Sequence, residues 1–235
     1  MGDFMRCFWL PAAVSSEVTA DGDPVRLMIL GEKLIAFRDS EGRVGVLDHR
    51  CPHRCASLFM GRNEESGIRC VYHGWKFDVD GNCVDMPNVP ERMDFKDKVH
   101  AKAYKTVERN GLIWVYMGEN QKNPPELPHI EANLIANSKI WCLQRQCNWL
   151  QALEGDIDTS HVGFLHVGAL QPEDLPEDSP LRPAVHNRSP EYKVHTSDWG
   201  AMYGAYREAE DGRMSWRAAH FLFPFWTMTP NILFS

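Results

Sequence analysis

The 235-residue sequence has no apolar run approaching the length that a membrane-spanning helix needs, so no such helix is expected. It also has no basic excess. Against 25 Lys and Arg stand 32 Asp and Glu, a formal charge of -7. That balance argues against nucleic acid as the main partner, because phosphate binding needs a basic face. The opening MGDFMRCFWL lacks the charged head, long apolar run and small-residue cleavage site of a signal peptide. A cytoplasmic location is the expectation. Internal repeats and low-complexity tracts are absent as well. The seven cysteines do not make an even set, and in a reducing compartment grouped cysteines more often bind metal or are simply buried. Cys7, Cys83, Cys142 and Cys147 have no His or Cys partner at ligand spacing and are expected as small core residues.

What is present is ordinary globular material, 43% hydrophobic and 24% charged, with eight Trp, eleven Phe and six Tyr to build a core. Short strand signals fill the first half: Val25–Leu30, a Gly-Glu turn, Leu34–Arg38, Val44–Leu47, Gly67–Tyr72 and Trp75–Phe77. Thr106–Arg109 and Leu112–Tyr116 flank Asn110–Gly111, a strong two-residue hairpin signal. Many short strands with polar turns imply antiparallel sheets. The Pro-rich segment Gly118–Pro128 reads as a domain boundary. Beyond it a strand is expected over Ile140–Gln146 and a helix from Asn148 to about Ser160. A surface loop should follow over 171–190, then strands at Ala201–Arg207 and Met214–Phe223 around Asp211–Gly212, and a strand-like end.

The strongest chemical signal is CPHRCASLFMGRNEESGIRCVYHGWKF, residues 51–77. Cys51 and His53 form a Cys-x-His pair; Cys70 and His73 form a Cys-x-x-His pair. Pro52 fixes backbone shape in the first loop, and Gly74 allows close backbone approach in the second. Two thiolates and two imidazoles suit tetrahedral zinc or a Rieske [2Fe–2S] cluster, in which one iron takes two Cys and the other two His. A zinc finger would order its ligands Cys-Cys then His-His, with the latter on a helix. Here each pair mixes Cys with His between strands, which favours the cluster. Tyr72, Trp75 and Phe77 would shield it, and Cys55 would pack beside it. Neutral imidazole ligands raise the potential above that of all-Cys ferredoxins, so this part should carry electrons.

Residues 148–166, NWLQALEGDIDTSHVGFLH, hold a second constellation. Three residues of α-helix turn ~300°, which puts Asp158 and His161 on one face, where the carboxylate can hold the imidazole N–H. His161 and His166 would lie ~140° apart on an ideal helix. Both can face one metal only if the helix ends or distorts between them, and Gly163 offers the break. Alone this is a weak signal, more often a polar helix end than a metal site. Downstream of the first motif it suits the two histidines of a 2-His-1-carboxylate iron site.

Together RCPHRCASL, CVYHGWKFD and LEGDIDTSHVGFLH resemble the Rieske non-heme iron aromatic-ring oxygenases, of the phthalate 4,5-dioxygenase and phenoxybenzoate dioxygenase oxygenase-subunit type. The resemblance covers essentially the whole sequence. It implies Cys51, His53, Cys70 and His73 as cluster ligands, and His161 and His166 on a mononuclear Fe(II). Asp158 would be the aspartate that carries electrons from a neighbouring subunit's cluster. It further implies O2-dependent hydroxylation of an aromatic compound, NAD(P)H electrons relayed by a flavin and iron–sulfur reductase, and a homotrimer or a multiple of one. The expected fold is α+β: a β-rich Rieske domain over 1–118, a linker over 119–130, and over 131–235 the first part of a helix-on-antiparallel-sheet catalytic domain. The family's third iron ligand, a carboxylate on a later helix, is expected beyond residue 235. MGDFMRCFWLPA resembles an internal stretch, so the sequence reads as a fragment. Arg182, Arg188 and Arg207 are available to a charged substrate but are expected at the solvated surface. Phe221, Phe223, Phe225 and Trp226 are expected as core. The rivals are a Rieske electron carrier without oxygenase activity and a zinc-stabilised interaction module.

Overall fold

A computed structural model describes residues 2–129, 139–143 and 145–234. The chain divides into two compact units, 1–143 and 144–235.

The first unit opens with a single helical turn, α1 (Gly2–Met5), and among its described residues are ten strands and four short 3-10 turns. Six of them form an antiparallel sheet: β1 (Trp9–Val14), β2 (Val25–Ile29), β3 (Glu32–Arg38), β4 (Val44–Asp48), β9 (Ala103–Arg109) and β10 (Leu112–Tyr116), in the order β1-β10-β9-β4-β3-β2. Between β4 and β9 the chain detours into a smaller antiparallel sheet of β5 (Arg62–Glu64), β6 (Gly67–Arg69), β7 (Lys76–Phe77) and β8 (Cys83–Asp85). The β9–β10 turn is Asn110–Gly111, with φ of 51° and 73°. Positive values at both central residues give the turn whose twist matches a hairpin. The β2–β3 turn lies one residue earlier than the Gly-Glu expectation, at Leu30–Gly31, with Leu30 left-handed at φ 47°. Glu32 is kept in β3 because its carboxylate takes Lys102 at 2.8 Å, Tyr104 at 2.6 Å and Arg6 at 2.7 Å.

Strands β3 and β10 are buried along most of their length, which is why each reads as a continuous apolar run. Ile35, Phe37, Leu47, Leu58, Ile68 and Phe77 form one core that also takes in Cys51, Cys70, Trp75 and Cys83. The two loops bearing the Cys/His pairs thus spring from the centre of the unit. Burial of Cys83 fits its expected core role, whereas Cys7, Cys142 and Cys147 are exposed. Cys142 and Cys147 sit in irregular chain, where no packed element exists to bury them. No strand forms at residues 140–143 and 145–146; Gln144, and 131–138 of the expected catalytic part, lie outside the described residues.

In the second unit α2 (Trp149–Ile157) starts at Asn148, whose side chain caps the helix by accepting from Leu150 N–H at 2.9 Å. The helix lies over an antiparallel sheet. That sheet consists of β11 (Glu191–Ser197), β12 (Gly200–Glu208), β13 (Met214–Leu222) and β14 (Trp226–Phe234) in sequential order. The expected loop at 171–190 contains a short helix, α3 (Arg182–His186), because Pro183, Ala184 and Val185 form an apolar triplet that is buried. Strand β11, EYKVHTS, is exposed at every position, and its apolar alternation is limited to Tyr192 and Val194.

Candidate metal centres

The two Cys/His loops have the same backbone plan. In the first, Cys51 N–H donates to Ala56 C=O at 2.8 Å and Cys55 N–H to Cys51 C=O at 2.9 Å. In the second, Cys70 N–H donates to Trp75 C=O at 2.9 Å and Gly74 N–H to Cys70 C=O at 3.0 Å. The fourth residue after each cysteine is left-handed, Cys55 at φ 56° and Gly74 at φ 77°. Cys55 is therefore the counterpart of Gly74 in the turn, and it is exposed instead of packed beside the site. A Cβ on Gly74 would lie 2.6 Å from Pro87 Cγ. Gly74→Ala should strain this loop by more than the ~1–2 kcal/mol of the left-handed backbone alone. Cys55→Gly should stabilise the unit by up to about 1 kcal/mol. Denaturant unfolding of both variants checks the pair, and a stabilised Gly74→Ala would contradict the shared turn plan.

Both loops aim their ligand-type side chains at one place. Cys51 and Cys70 are 1% and 2% exposed, and Cys70 is among the neighbours that act on the Cys51 thiol. His53 and His73 are half-buried, with ring centroids 4.4 Å apart. Burial, and next the Cys70 thiol, push the Cys51 pKa up to about 11 against the pull of the His53 and Arg54 backbone N–H groups. Those N–H groups face the sulfur and suit a thiolate whose proton a metal replaces. Burial, followed by the charges of His73 and Arg54, lowers the His53 pKa and so favours a neutral imidazole with a lone pair to give.

Trp75 stacks on His53 at 4.2 Å with its ring tilted by only 8°, and its N–H is anchored on Asn88 Oδ1 at 2.7 Å. Trp75 and Phe77 are buried, as a shielding role requires, but Tyr72 is 63% exposed and touches only the outer side of His73. Its loop turns outward after Cys70, where the strand expected to reach Tyr72 stops at Arg69. Sequence reading missed Arg69. This guanidinium ties Gly74 C=O at 2.7 Å and Asp85 at 2.6 Å, pinning the second loop to β8.

The second constellation is built differently from expectation. Helix α2 ends at Ile157, and Asp158 is extended at φ -73°, ψ 132°. Its carboxylate accepts from Ser160 N–H at 2.8 Å and His161 N–H at 3.0 Å, and it meets His161 Nδ1 at 2.7 Å. Asp158 thus caps the following turn, which gives the expected carboxylate–imidazole contact without a shared helix. With Nδ1–H donating to Asp158, the lone pair of His161 is on Nε2. That Nε2 lies 3.1 Å from Nε2 of His166. Two nitrogens ~2.1 Å from one ion and at right angles to each other stand about 3 Å apart, so the pair has the spacing of two ligands on one metal.

The chain is brought round by a single 3-10 turn, His161–Gly163, followed by turns to Gly168 at φ 52°. Gly163 is not the left-handed break; its contribution is room, since a Cβ there would stand 3.2 Å from Ala184 C=O. Burial opposes ionisation of Asp158, but the hydrogen bonds from Ser160 and His161 outweigh it and hold its carboxyl below the ordinary range. The cap should therefore be fully in place above the ordinary Asp value near ~3.9 and be lost as pH falls through the lower folded value. A carboxyl NMR titration reads this, and an Asp158 pKa above the ordinary value would contradict it.

Among the described residues no group of three or more His, Cys, Asp or Glu is gathered around one point. The donors come in pairs: two thiols with two imidazoles in one unit, two imidazoles in the other. None of Arg182, Arg188 and Arg207 is simply solvated. Arg182 pairs with Glu210 at 2.7 Å, and Arg207 is 4% exposed. Arg188 donates to the carbonyls of Gly163, of Gly168 at 2.7 Å and of Leu170 at 2.9 Å, clamping the segment that bears both histidines. Arg188→Ala should cost about 2 kcal/mol or more in stability, and should weaken any Fe(II) binding that the histidine pair supports. Unchanged Fe(II) affinity would reduce Arg188 to packing. Phe221, Phe225 and Trp226 are half-buried and Phe223 is exposed, so the expected aromatic core does not form among them.

Comparison with known proteins also finds two parts, with the change at residues 115–122. The Rieske [2Fe-2S] domain family matches residues 8–122. The family described as LigXa C-terminal domain like matches residues 115–231. The 3-chlorobenzoate-3,4-dioxygenase oxygenase subunit of Comamonas testosteroni is 53% identical over 98% of this chain and 54% of its own length. The phthalate 4,5-dioxygenase oxygenase subunit of Pseudomonas putida is 42% identical over 88% of this chain and 48% of its own length. The chain spans about half the length of these curated relatives. The crystal structure of dicamba monooxygenase bound to dicamba superposes with a TM-score of 0.72 over 93% of this chain and 64% of that one, at 22% identity, which shows a shared fold. Matched in both its parts and related along nearly all its length to such subunits, the chain belongs to the Rieske non-heme iron oxygenases, with a Rieske [2Fe–2S] domain followed by a LigXa-like oxygenase domain.

Proposed function

We propose that Cys51, His53, Cys70 and His73 hold a Rieske [2Fe–2S] cluster, and that His161 and His166 hold a mononuclear Fe(II). The chain would then form the electron-receiving part of an oxygenase component that hydroxylates an aromatic compound with O2. The carrying observation is the pairing of donors: two buried cysteines and two adjacent imidazoles, on loops of one backbone plan. Paired donors suit two irons with two protein ligands each, whereas zinc would ask for four around one ion.

Bound there, the cluster would supply one-electron transfer and the Fe(II) would supply O2 chemistry. The residues do the rest. Cys51 and Cys70 give up their protons inside the core, where Trp75 and Phe77 exclude water. His53 and His73 bring no negative charge, and on the half-buried side of the site their outer ring nitrogens can hold or release a proton. Asp158 keeps the proton on Nδ1 of His161 and leaves Nε2 free for iron. By the family resemblance Asp158 is also the link toward the cluster of a neighbouring subunit, which makes a homotrimer or a multiple of it the working assembly.

Residues 1–118 are assigned to the electron-carrying domain, 119–130 to a linker and 131–235 to the catalytic domain's first part. A flavin and iron–sulfur reductase drawing on NAD(P)H would be the partner, in a cytoplasmic catabolic pathway for aromatic compounds. The relatives named for 3-chlorobenzoate and phthalate favour an aromatic acid as substrate. The test supplies iron-loaded protein with NADH, such a reductase, O2 and benzoates, and follows oxygen uptake and ring hydroxylation. Cluster reduction with no substrate-dependent oxygen uptake would favour a simple electron carrier.

A further inference from the structure

The two faces of the second sheet carry different chemistry. Tyr203 on β12 donates its hydroxyl to Ile157 C=O, so its face is the one turned to α2. Side chains alternate along a strand, and Met202 therefore belongs to the opposite face. There the register lines up one residue from each strand. His195 of β11 stands opposite Met202 of β12. Met202 stands opposite His220 of β13, and His220 opposite Met228 of β14. The result is a row that alternates imidazole and thioether across the whole sheet.

Directly opposed residues have Cβ atoms about 5 Å apart, within reach of one another's long side chains. Neighbours in this row can thus share one ion at the ~2.0–2.3 Å of nitrogen and sulfur ligands. His220 has a methionine on each side. Met202 and Met228 are 41% and 38% exposed, so neither thioether is spent in core packing. His220 is half-buried, and no hydrogen bond or ion pair engages it among the described residues. On its own strand Met202 is flanked on this face by Gly200 and Gly204, which carry no side chains to crowd the sulfur. The Trp216 ring lies over Gly204, 3.0 Å from where a Cβ would stand, and walls the row on that side.

The donors define the ion. Zinc is held by thiolate, imidazole and carboxylate. Thioether with imidazole suits the softer Cu(I). All three donors are neutral, which favours a single positive charge over two. We propose that Met202, His220 and Met228 form a three-donor site for Cu(I), on the face of the sheet turned away from α2. The site stands apart from the cysteine and histidine pairs assigned to iron and does not depend on that assignment.

The experiment titrates Cu(I) anaerobically into the iron-loaded protein against a chromogenic Cu(I) chelator. The exposed Cys7, Cys55, Cys142 and Cys147 are first blocked with N-ethylmaleimide. Wild type is compared with Met202→Leu, Met228→Leu and His220→Gln, and methionine methyl NMR signals are followed in the same titration. The wild type should bind one Cu(I), with the Met202 and Met228 methyls shifting together. Each variant should weaken binding by at least about 10-fold, since losing even an outer partner of a ligand costs that much. Zn(II) affinity should not change in the Leu variants. Leu conserves the volume of Met, so the Leu variants decide the matter if His220→Gln fails to fold. Cu(I) bound equally by the wild type and both Leu variants, or bound with those methyls unshifted, or not bound at all, overturns the proposal. Zn(II) binding lost along with Cu(I) in the Leu variants overturns it as well.

Discussion

In the full-length oxygenase proposed above, alanine in place of Asp158 should leave the visible spectrum of the cluster unchanged and reduce turnover roughly 100-fold, the upper end of what an outer partner of a metal-bound imidazole costs. The carboxylate does three things at once. It caps Ser160 N–H at 2.8 Å and His161 N–H at 3.0 Å, and it holds His161 Nδ1 at 2.7 Å. The first two contacts shape the turn, and the third sets the tautomer that leaves a lone pair on Nε2. Asp158→Asn separates these roles. Its amide oxygen can still cap the turn, but it no longer offers a negative charge to the imidazole, so most of the loss should persist. Normal turnover in Asp158→Ala would make this residue a turn cap and remove it from the electron path.

Cysteine in place of His53 should keep a [2Fe–2S] cluster but lower its potential by roughly 100 mV or more, toward the all-thiolate ferredoxins. The cause is electrostatic. A neutral imidazole, kept neutral by burial and by His73 and Arg54, is exchanged for a thiolate that adds a negative charge to a poorly solvated site. Trp75 stacks on the imidazole at 4.2 Å and is fixed by Asn88, so the ring's place is well defined. A redox titration followed by EPR gives the potential. A variant with the wild-type potential would show that His53 is not a ligand.

These two predictions draw on unequal degrees of sequence legibility. The Cys/His pairs were readable because ligand spacing on a strand-bounded loop is local, and the strands around them were marked by apolar runs and turn residues such as Asn110–Gly111. The equivalence of Cys55 and Gly74 was not readable, because it lies in backbone hydrogen bonds shared by two loops of different ligand spacing. At Asp158 the contact with His161 was anticipated and the backbone was not. Helix periodicity extends past Ile157, but a carboxylate that accepts two backbone N–H groups ends the helix and starts a new turn.

Charged residues misled most. An arginine is at the surface by default, and only the pairing of β12 with β13 shows that Arg207 and Arg217 share one face of the sheet. Strand β11 escaped notice for the opposite reason. It is held by its ladder to β12 and is exposed throughout, so its short Tyr192–Val194 alternation marks no buried face.

The central claim is that the paired thiols and imidazoles of residues 51–73 hold an iron–sulfur cluster. Iron, acid-labile sulfide and zinc should be measured per chain on anaerobically purified protein. A [2Fe–2S] cluster predicts two sulfides and at least two irons, with no zinc; any third iron would be the ion of His161 and His166. Zinc without sulfide would contradict the account and leave a structural metal module in place of an electron carrier.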